Sequence, residues 1–308
     1  MARALGFVVG AVRARARSAL LAMTVLSAGL AVLPSSAAAA STTLYASPTG
    51  SGSAPCETAT SPCSIGTAFT QIGTGAQNGN AVTLQLAAGT YAVANTVADE
   101  SPTSLTIVGA GAGSTVLTGD YSGTGTSCSG FFIPLTIATG VTFPVTIKTL
   151  TLEDGCTTGY GADLLDDGTG TVTLDSDAIE GGYSQRGGMA DILNGGALNI
   201  NQSAIYGGTN LTYGSDVVAG TLNLTNSFVG LTTSLGVAVG SSAHATIIGS
   251  TIATNMSTGV AGPANAVTLA GAILFGNGTT ATTSLTTPLA VSRPQPATRA
   301  PAARLTPS

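Results

Sequence analysis

The sequence predicts an all-β fold, a parallel β-helix solenoid of about eight coils with a short N-terminal capping helix, and three observations predict it. The first is a recurring phrase. "VTIKTLTLEDG" starts at Val145, "VTLDSDAIEGG" at Val172, "LNINQSAIYGG" at Leu198, "LNLTNSFVGLT" at Leu222, "ATIIGSTIATN" at Ala245 and "VTLAGAILFGN" at Val267. The starts lie 27, 26, 24, 23 and 22 residues apart, and a period in this range marks a solenoid. Looser copies begin at Val82 and Leu105. The second observation is alternation inside each copy: Val172 and Leu174 flank Thr173, and Leu198 and Ile200 flank Asn199, which is strand periodicity. The third is that Gly and small polar residues interrupt every copy, leaving no room for an ordinary helix. Each copy is therefore one turn of short strands whose aliphatics are buried only by stacking.

The column positions follow from that stacking. Val172, Leu198 and Leu222 share one inward column, and Ile179, Ile205 and Val229 another. Thr146, Thr173, Asn199, Asn223, Thr246 and Thr268 form an outward polar ladder, a position that suits stacked amides and hydroxyls. An antiparallel sandwich would tolerate the unequal spacings but not the column-by-column match. At the N-terminal end Ile65, Ala68, Phe69 and Ile72 sit at i, i+3, i+4 and i+7, predicting the capping helix that protects the first coil from edge pairing. No comparable cover is legible after Leu274.

Both ends of the chain read as something other than the solenoid. Residues 1–40 combine Arg3, Arg13, Arg15 and Arg17 with an apolar run over 19–33 and small residues at 37–40, the pattern of a secretory leader; a retained membrane anchor is the alternative, and no membrane span is expected once the leader is removed. Residues 288–308 hold five prolines among Ala and Arg and read as a disordered tail. The solenoid is then expected over 41–287. That body holds two basic residues, Lys148 and Arg186, against fourteen acids, a net charge of −12. Such a balance repels phosphate backbones and excludes nucleic acid as a partner. It also repels polyanionic polysaccharide unless a cation bridges. Four cysteines in an exported chain favour disulfides. Of the three pairings we favour Cys56–Cys63, which braces the cap, and Cys128–Cys156, which lie about one repeat apart.

The turns "GADLLDDGTGTVTLDSDAIEG" and "GSDVVAGTLNLTNSFVG" and the opening "LYASPTGSGSAPCETATSPCSIGTAFTQI" resemble those of bacterial secreted right-handed parallel β-helix proteins of the pectin lyase-like type, with repeats similar to polymorphic outer-membrane repeats. The resemblance spans roughly residues 44–277. It implies a right-handed solenoid at the cell exterior, on a fold that carries lyases, hydrolases, epimerases and adhesins alike.

Chemistry is expected where carboxylates line up. Aligning "GADLL", "MADIL" and "GSDVV" places Asp163, Asp191 and Asp216 at one outward position on successive coils, with Asp166 and Asp167 nearby and Glu153 over Glu180 on the adjacent face. Like charges about 5 Å apart raise a pKa or hold a cation. The column therefore reads in three ways. It is a set of turn caps bonded to backbone, an oxygen-ligand Ca²⁺ site, or a carboxylate pair for sugar chemistry. Arg186 is the one arginine of the body and the weak candidate for a basic partner. The resemblance implies basic residues beside the Ca²⁺-binding Asp in lyases, and Asn-Thr-Asp, Asp-Asp, Gly-His-Gly and Arg-Ile-Lys sets in hydrolases. Only Asp166-Asp167 matches one of these, and His244 in "SAHAT" reads as a surface histidine. The expectation is a secreted, non-catalytic module binding carbohydrate or another surface component. The alternatives are a polysaccharide lyase or glycoside hydrolase centred on Asp163, Asp191 and Asp216, and a purely structural surface protein.

Overall fold

The computed structural model describes residues 40–92, 94–98, 102–119, 128, 132–192, 196–210, 215–217 and 220–278. All belong to the unit that begins at residue 39; the leader and the tail expected from sequence lie outside the described residues.

The chain winds as a parallel β-helix with three faces. Face 1 is built from Ser41–Ala46, Ala81–Leu86, Ser104–Val108, Val145–Lys148, Thr171–Asp175, Ala197–Asn201, Thr221–Thr225, His244–Ile248 and Val267–Ala270. Face 2 runs from Gly89–Ala92 through Thr151–Glu153, Ala178–Glu180, Ala204–Tyr206 and Phe228–Gly230 to Ile273–Phe275, and face 3 from Asn95–Val97 through Leu164–Asp166, Ala190–Ile192 and Ser215–Val217 to Val260–Ala261. Each strand pairs in parallel with its counterpart one coil away. Among the described residues the faces hold nine, eight and seven strands, so seven coils carry a strand on every face. That is slightly fewer than the eight expected, because the first coil contributes only Ser41–Ala46 and the last lacks a third face. A small extra sheet of Cys156–Thr157, Tyr183–Ser184 and Thr209–Asn210 fills the wider corner between faces 2 and 3.

Val172 sits opposite Leu198, and Leu198 opposite Leu222. Leu84, Ile107, Ile147, Leu174, Ile200, Leu224, Ile247 and Leu269 form a second inward column with every member at most 3 % exposed. Face 2 adds Tyr91, Leu117, Leu152, Ile179, Ile205, Val229, Ile252 and Leu274, all buried. Each such aliphatic contributes roughly 1.5–3 kcal/mol by leaving water, and every one needs the coils above and below to do so. On the outside of face 1, Asn223 Nδ2 donates to Asn199 Oδ1 over 2.8 Å, so the predicted polar ladder is linked side chain to side chain at that step.

Faces 1 and 2 meet at a tight corner. Its first residue takes a positive φ in six successive coils: Thr149 (54°), Ser176 (64°), Gln202 (51°), Asn226 (49°), Gly249 (58°) and Gly271 (60°). The left-handed conformation turns the chain sharply and points these side chains outward; only the last two positions are Gly, where the missing Cβ removes the steric cost.

The N-terminal end is closed as expected. The helix Ile65–Gly73 buries Ile65, Ala68, Phe69 and Ile72, and Ser64 caps it by accepting the Thr67 N–H at 3.2 Å. Cys56 and Cys63 are bonded, with Cα atoms 5.3 Å apart. Their loop satisfies the free edge of the first strand: Tyr45 N–H donates to Cys56 O at 2.7 Å, and Cys63 N–H to Tyr45 O at 3.0 Å. Cys128 and Cys156 form the second disulfide.

Candidate functional site

The strand register corrects the aspartate column. Asp191 pairs with Asp216, but the residue opposite Asp191 on the preceding coil is Leu165, not Asp163. The corner between faces 2 and 3 changes length from coil to coil, so counting back from the Asp misplaces the first member by two residues. Asp191 and Asp216 therefore share a register position with Thr136, Leu165 and Ala238; their side chains lie outside the described part of the structure.

Asp163 is sealed inside, 0 % exposed. Its Oδ1 accepts the Gly155 N–H at 2.8 Å, and its Oδ2 has no hydrogen-bond partner. Burial pushes its pKa well up, the Gly155 bond opposes this, and the charges of Asp154, Glu153 and Glu180 add to the rise. Its place has a counterpart at the C-terminal end of the rod. At the same corner Asn277 Oδ1 accepts the Asn255 N–H at 3.1 Å, one coil reaching across to cap the previous one. For the Asp163 coil the residue placed to reach across from the next coil is Gly182, which has no side chain to reach with. A Cβ there would fall 2.2 Å from Asp163 Oδ2, so the carboxyl occupies the space of the missing amide and does its capping.

Two more buried aspartates behave alike. Asp177 Oδ1 and Oδ2 accept the Leu150 and Asp175 N–H groups, each at 2.9 Å. Burial raises its pKa to about 7 against those two bonds. Asp166 points inward between Ile137 and Ile192 in the face 3 register, contrary to the expectation that it lies beside an exposed carboxylate column. Its Oδ1 accepts Gly168 N–H at 3.1 Å, its Oδ2 is unpartnered, and burial lifts its pKa to about 7. Among the described residues no group of three or more His, Cys, Asp or Glu is arranged to hold a metal ion.

The Glu153–Glu180 pairing stands in register and continues to Tyr206. Burial, then Asp154, then Glu180 raise the Glu153 pKa. The Tyr206 hydroxyl donates to Glu180, and that bond, ahead of burial and the nearby charges, pushes its pKa up to about 12. Arg186 is exposed in the loop after Tyr183–Ser184, with its backbone N–H donating to Gly159 O at 3.2 Å. His244 is exposed on the edge of face 1 opposite Thr221, as expected of a surface histidine.

The structure brings together a set that sequence reading missed. Beside the tight corner, Ala178 and Ala204 stack on face 2 between the larger Thr151 and Phe228. Two small residues in a column of larger ones leave a groove of about 570 Å³. The corner residues Ser176, Gln202 and Asn226 form one wall, Tyr206 the other, and Phe228 one end. Gln202 and Asn226 are exposed. Gly230 lets the Phe228 ring lie across the strand, since a Cβ there would be 2.5 Å from Phe228 Cζ. The signal was present as "SDAIE", "QSAIY" and "NSFVG"; the Ala-Ala-Phe step becomes a groove only once the coils are stacked. Aromatic faces beside amides and hydroxyls are the groups that bind sugar rings and their hydroxyls.

No family model matches this chain, and no curated protein sequence matches it. Among solved structures the chain is similar to one described as "Crystal structure of pectate lyase Pel9A", at 13 % identity, covering 80 % of this chain and 77 % of that chain with a TM-score of 0.45. Identity and superposition are too low for any residue role to be carried across. No helix among the described residues is long and apolar enough to cross a membrane.

Proposed function

We propose that this chain is an exported β-helix that binds a sugar unit of an extracellular glycan in the groove over Ala178 and Ala204, without turning it over. The observation that carries the reading is the meeting of Phe228 and Tyr206 with Ser176, Gln202 and Asn226 around one concave surface, within the size range of small-ligand sites. Residues 1–40 serve as the export leader, and the two disulfides fit an oxidising compartment. Passing the protein over immobilised polysaccharides tests this directly. Retention with no release of reducing or unsaturated ends is the expected result, and product release would replace binding with catalysis.

The catalytic alternative draws its support from Asp191 and Asp216, whose backbones pair on adjacent strands of face 3; the burial of Asp163 removes the third member. Asp191→Asn would abolish activity under that alternative and leave retention unchanged under ours. Ca²⁺ at Asp191 and Asp216 is tested by thermal unfolding against Ca²⁺ concentration, where a specific site raises the midpoint by mass action. A purely structural surface role would be supported by failure to retain any polysaccharide.

A further inference from the structure

Resting on the sugar-binding reading, we infer that the groove accepts uncharged sugars and rejects uronic acids, with or without a divalent cation. The lining side chains include no Lys, Arg or His. The groups offered to a ligand are the amides of Gln202 and Asn226, the hydroxyls of Ser176 and Thr251, and the rings of Tyr206 and Phe228, while the one lining carboxyl, Asp177, is buried and accepts the Leu150 and Asp175 N–H groups. Each amide both donates and accepts, which matches a sugar hydroxyl that does the same. A carboxylate would find no charged donor there, whereas anion recognition rests on Arg or Lys.

The surroundings are negative on both sides. Glu180 lies beside Tyr206 and holds its hydroxyl as a donor, so that hydroxyl is already committed to an acid. Glu153 stands one coil away in the same column, and Asp175 precedes the Ser176 wall. Of the body's two cations, Lys148 lies 3.9 Å from Asp175 and Arg186 sits on the loop beyond Ser184, outside the groove lining. A body charge of −12 adds a long-range barrier to the approach of a polyuronate. Cation bridging would need several oxygens converging on one ion, and the described residues hold no such cluster. A neutral ring laid against Phe228 meets none of these penalties.

Titration calorimetry of the full-length protein with neutral xylo-, manno- and gluco-oligosaccharides and with oligogalacturonate, each in EDTA and in excess Ca²⁺, decides the matter. The expected result is binding of at least one neutral oligosaccharide, little changed by salt, and none of oligogalacturonate in either condition. Phe228→Ala should weaken that binding by about 3- to 10-fold, the loss expected for one ring contact. Gln202→Ala, at an exposed position, gives an independent weakening if Phe228→Ala fails to fold. Oligogalacturonate bound as tightly as any neutral sugar, in either condition, overturns this inference and leaves sugar binding intact. Failure of every sugar to bind overturns the sugar-binding reading itself.

Discussion

At the corner between faces 1 and 2, the coils on either side of Ser203 cap their backbones with different chemistry. Asp177 receives the Leu150 and Asp175 N–H groups. Further along, Ser203, Ser227 and Ser250 each receive one N–H from the preceding coil, at 3.1, 3.2 and 3.1 Å. Those hydroxyls pass their own protons back to the carbonyls of Asn201, Thr225 and Ile248. The corner between faces 2 and 3 repeats the contrast, with Asp163 nearer the middle of the rod and Asn255 and Asn277 at its C-terminal end. A hydroxyl or amide both donates and accepts, so it is satisfied at any pH. A carboxylate only accepts, and when buried it must be neutralised to be comfortable. The rod thus has a neutral half and a half whose caps hold protons.

Removing a cap from each half sharpens this difference most. Asp177→Ala orphans a buried N–H group and a part-buried one and should cost about 2–4 kcal/mol, whereas Ser227→Ala orphans one and should cost about 1–2. Urea unfolding of both variants checks the ratio, and equal losses would break the comparison.

The pH response comes next. Asp166 and Asp177 have folded pKa values near 7, raised above the ordinary carboxylate value, and Asp163 is raised as well. A folded state that holds its protons more tightly than the unfolded chain is favoured in acid. This contribution is fully present below about pH 4 and lost as pH rises through about 7. The Tm should fall by roughly 5–10 °C between pH 5 and pH 8. Asp166→Asn and Asp177→Asn should flatten the slope, while Ser250→Ala should leave it unchanged.

A smaller effect tests the substitution of Asp163 for a missing amide. Gly182→Asn should destabilise by about 1–3 kcal/mol through overlap with the Asp163 carboxyl. Combined with Asp163→Ala, the new amide has room to accept the Gly155 N–H, and the double variant should be more stable than the sum of the singles. Additive losses would mean the two positions do not share one space.

The smallest effect concerns the groove floor. Ala204→Ser adds one hydroxyl at a half-buried position and should change Tm by about 1 °C or less, yet it should alter sugar retention if the floor contacts ligand.

The residues explain what could be read in advance. The register of Val172, Leu198 and Leu222 was legible because the repeat and the two-residue alternation agree, and either alone would have been ambiguous. The capping helix was legible because Ile65, Ala68, Phe69 and Ile72 keep a helical stripe. The position of Asp163 was not, because the corner before face 3 varies in length and nothing local marks the extra residues. The inward turn of Asp166 was available in the alternation of Leu164, Leu165 and Asp166, but a carboxyl in a core column runs against the usual rule. Gln202, Asn226 and Phe228 carried no signal one at a time.

The period and alternation of the chain by themselves determined the solenoid, its core columns and its acidic character, since each depends on spacing along one coil or on composition. Which carboxyls are enclosed as caps, and where a concave surface opens, were decided only by the tertiary structure. Both depend on which side chain is absent on the next coil, at Gly182 or at Ala178 and Ala204, and that is a relation between residues nineteen or more positions apart.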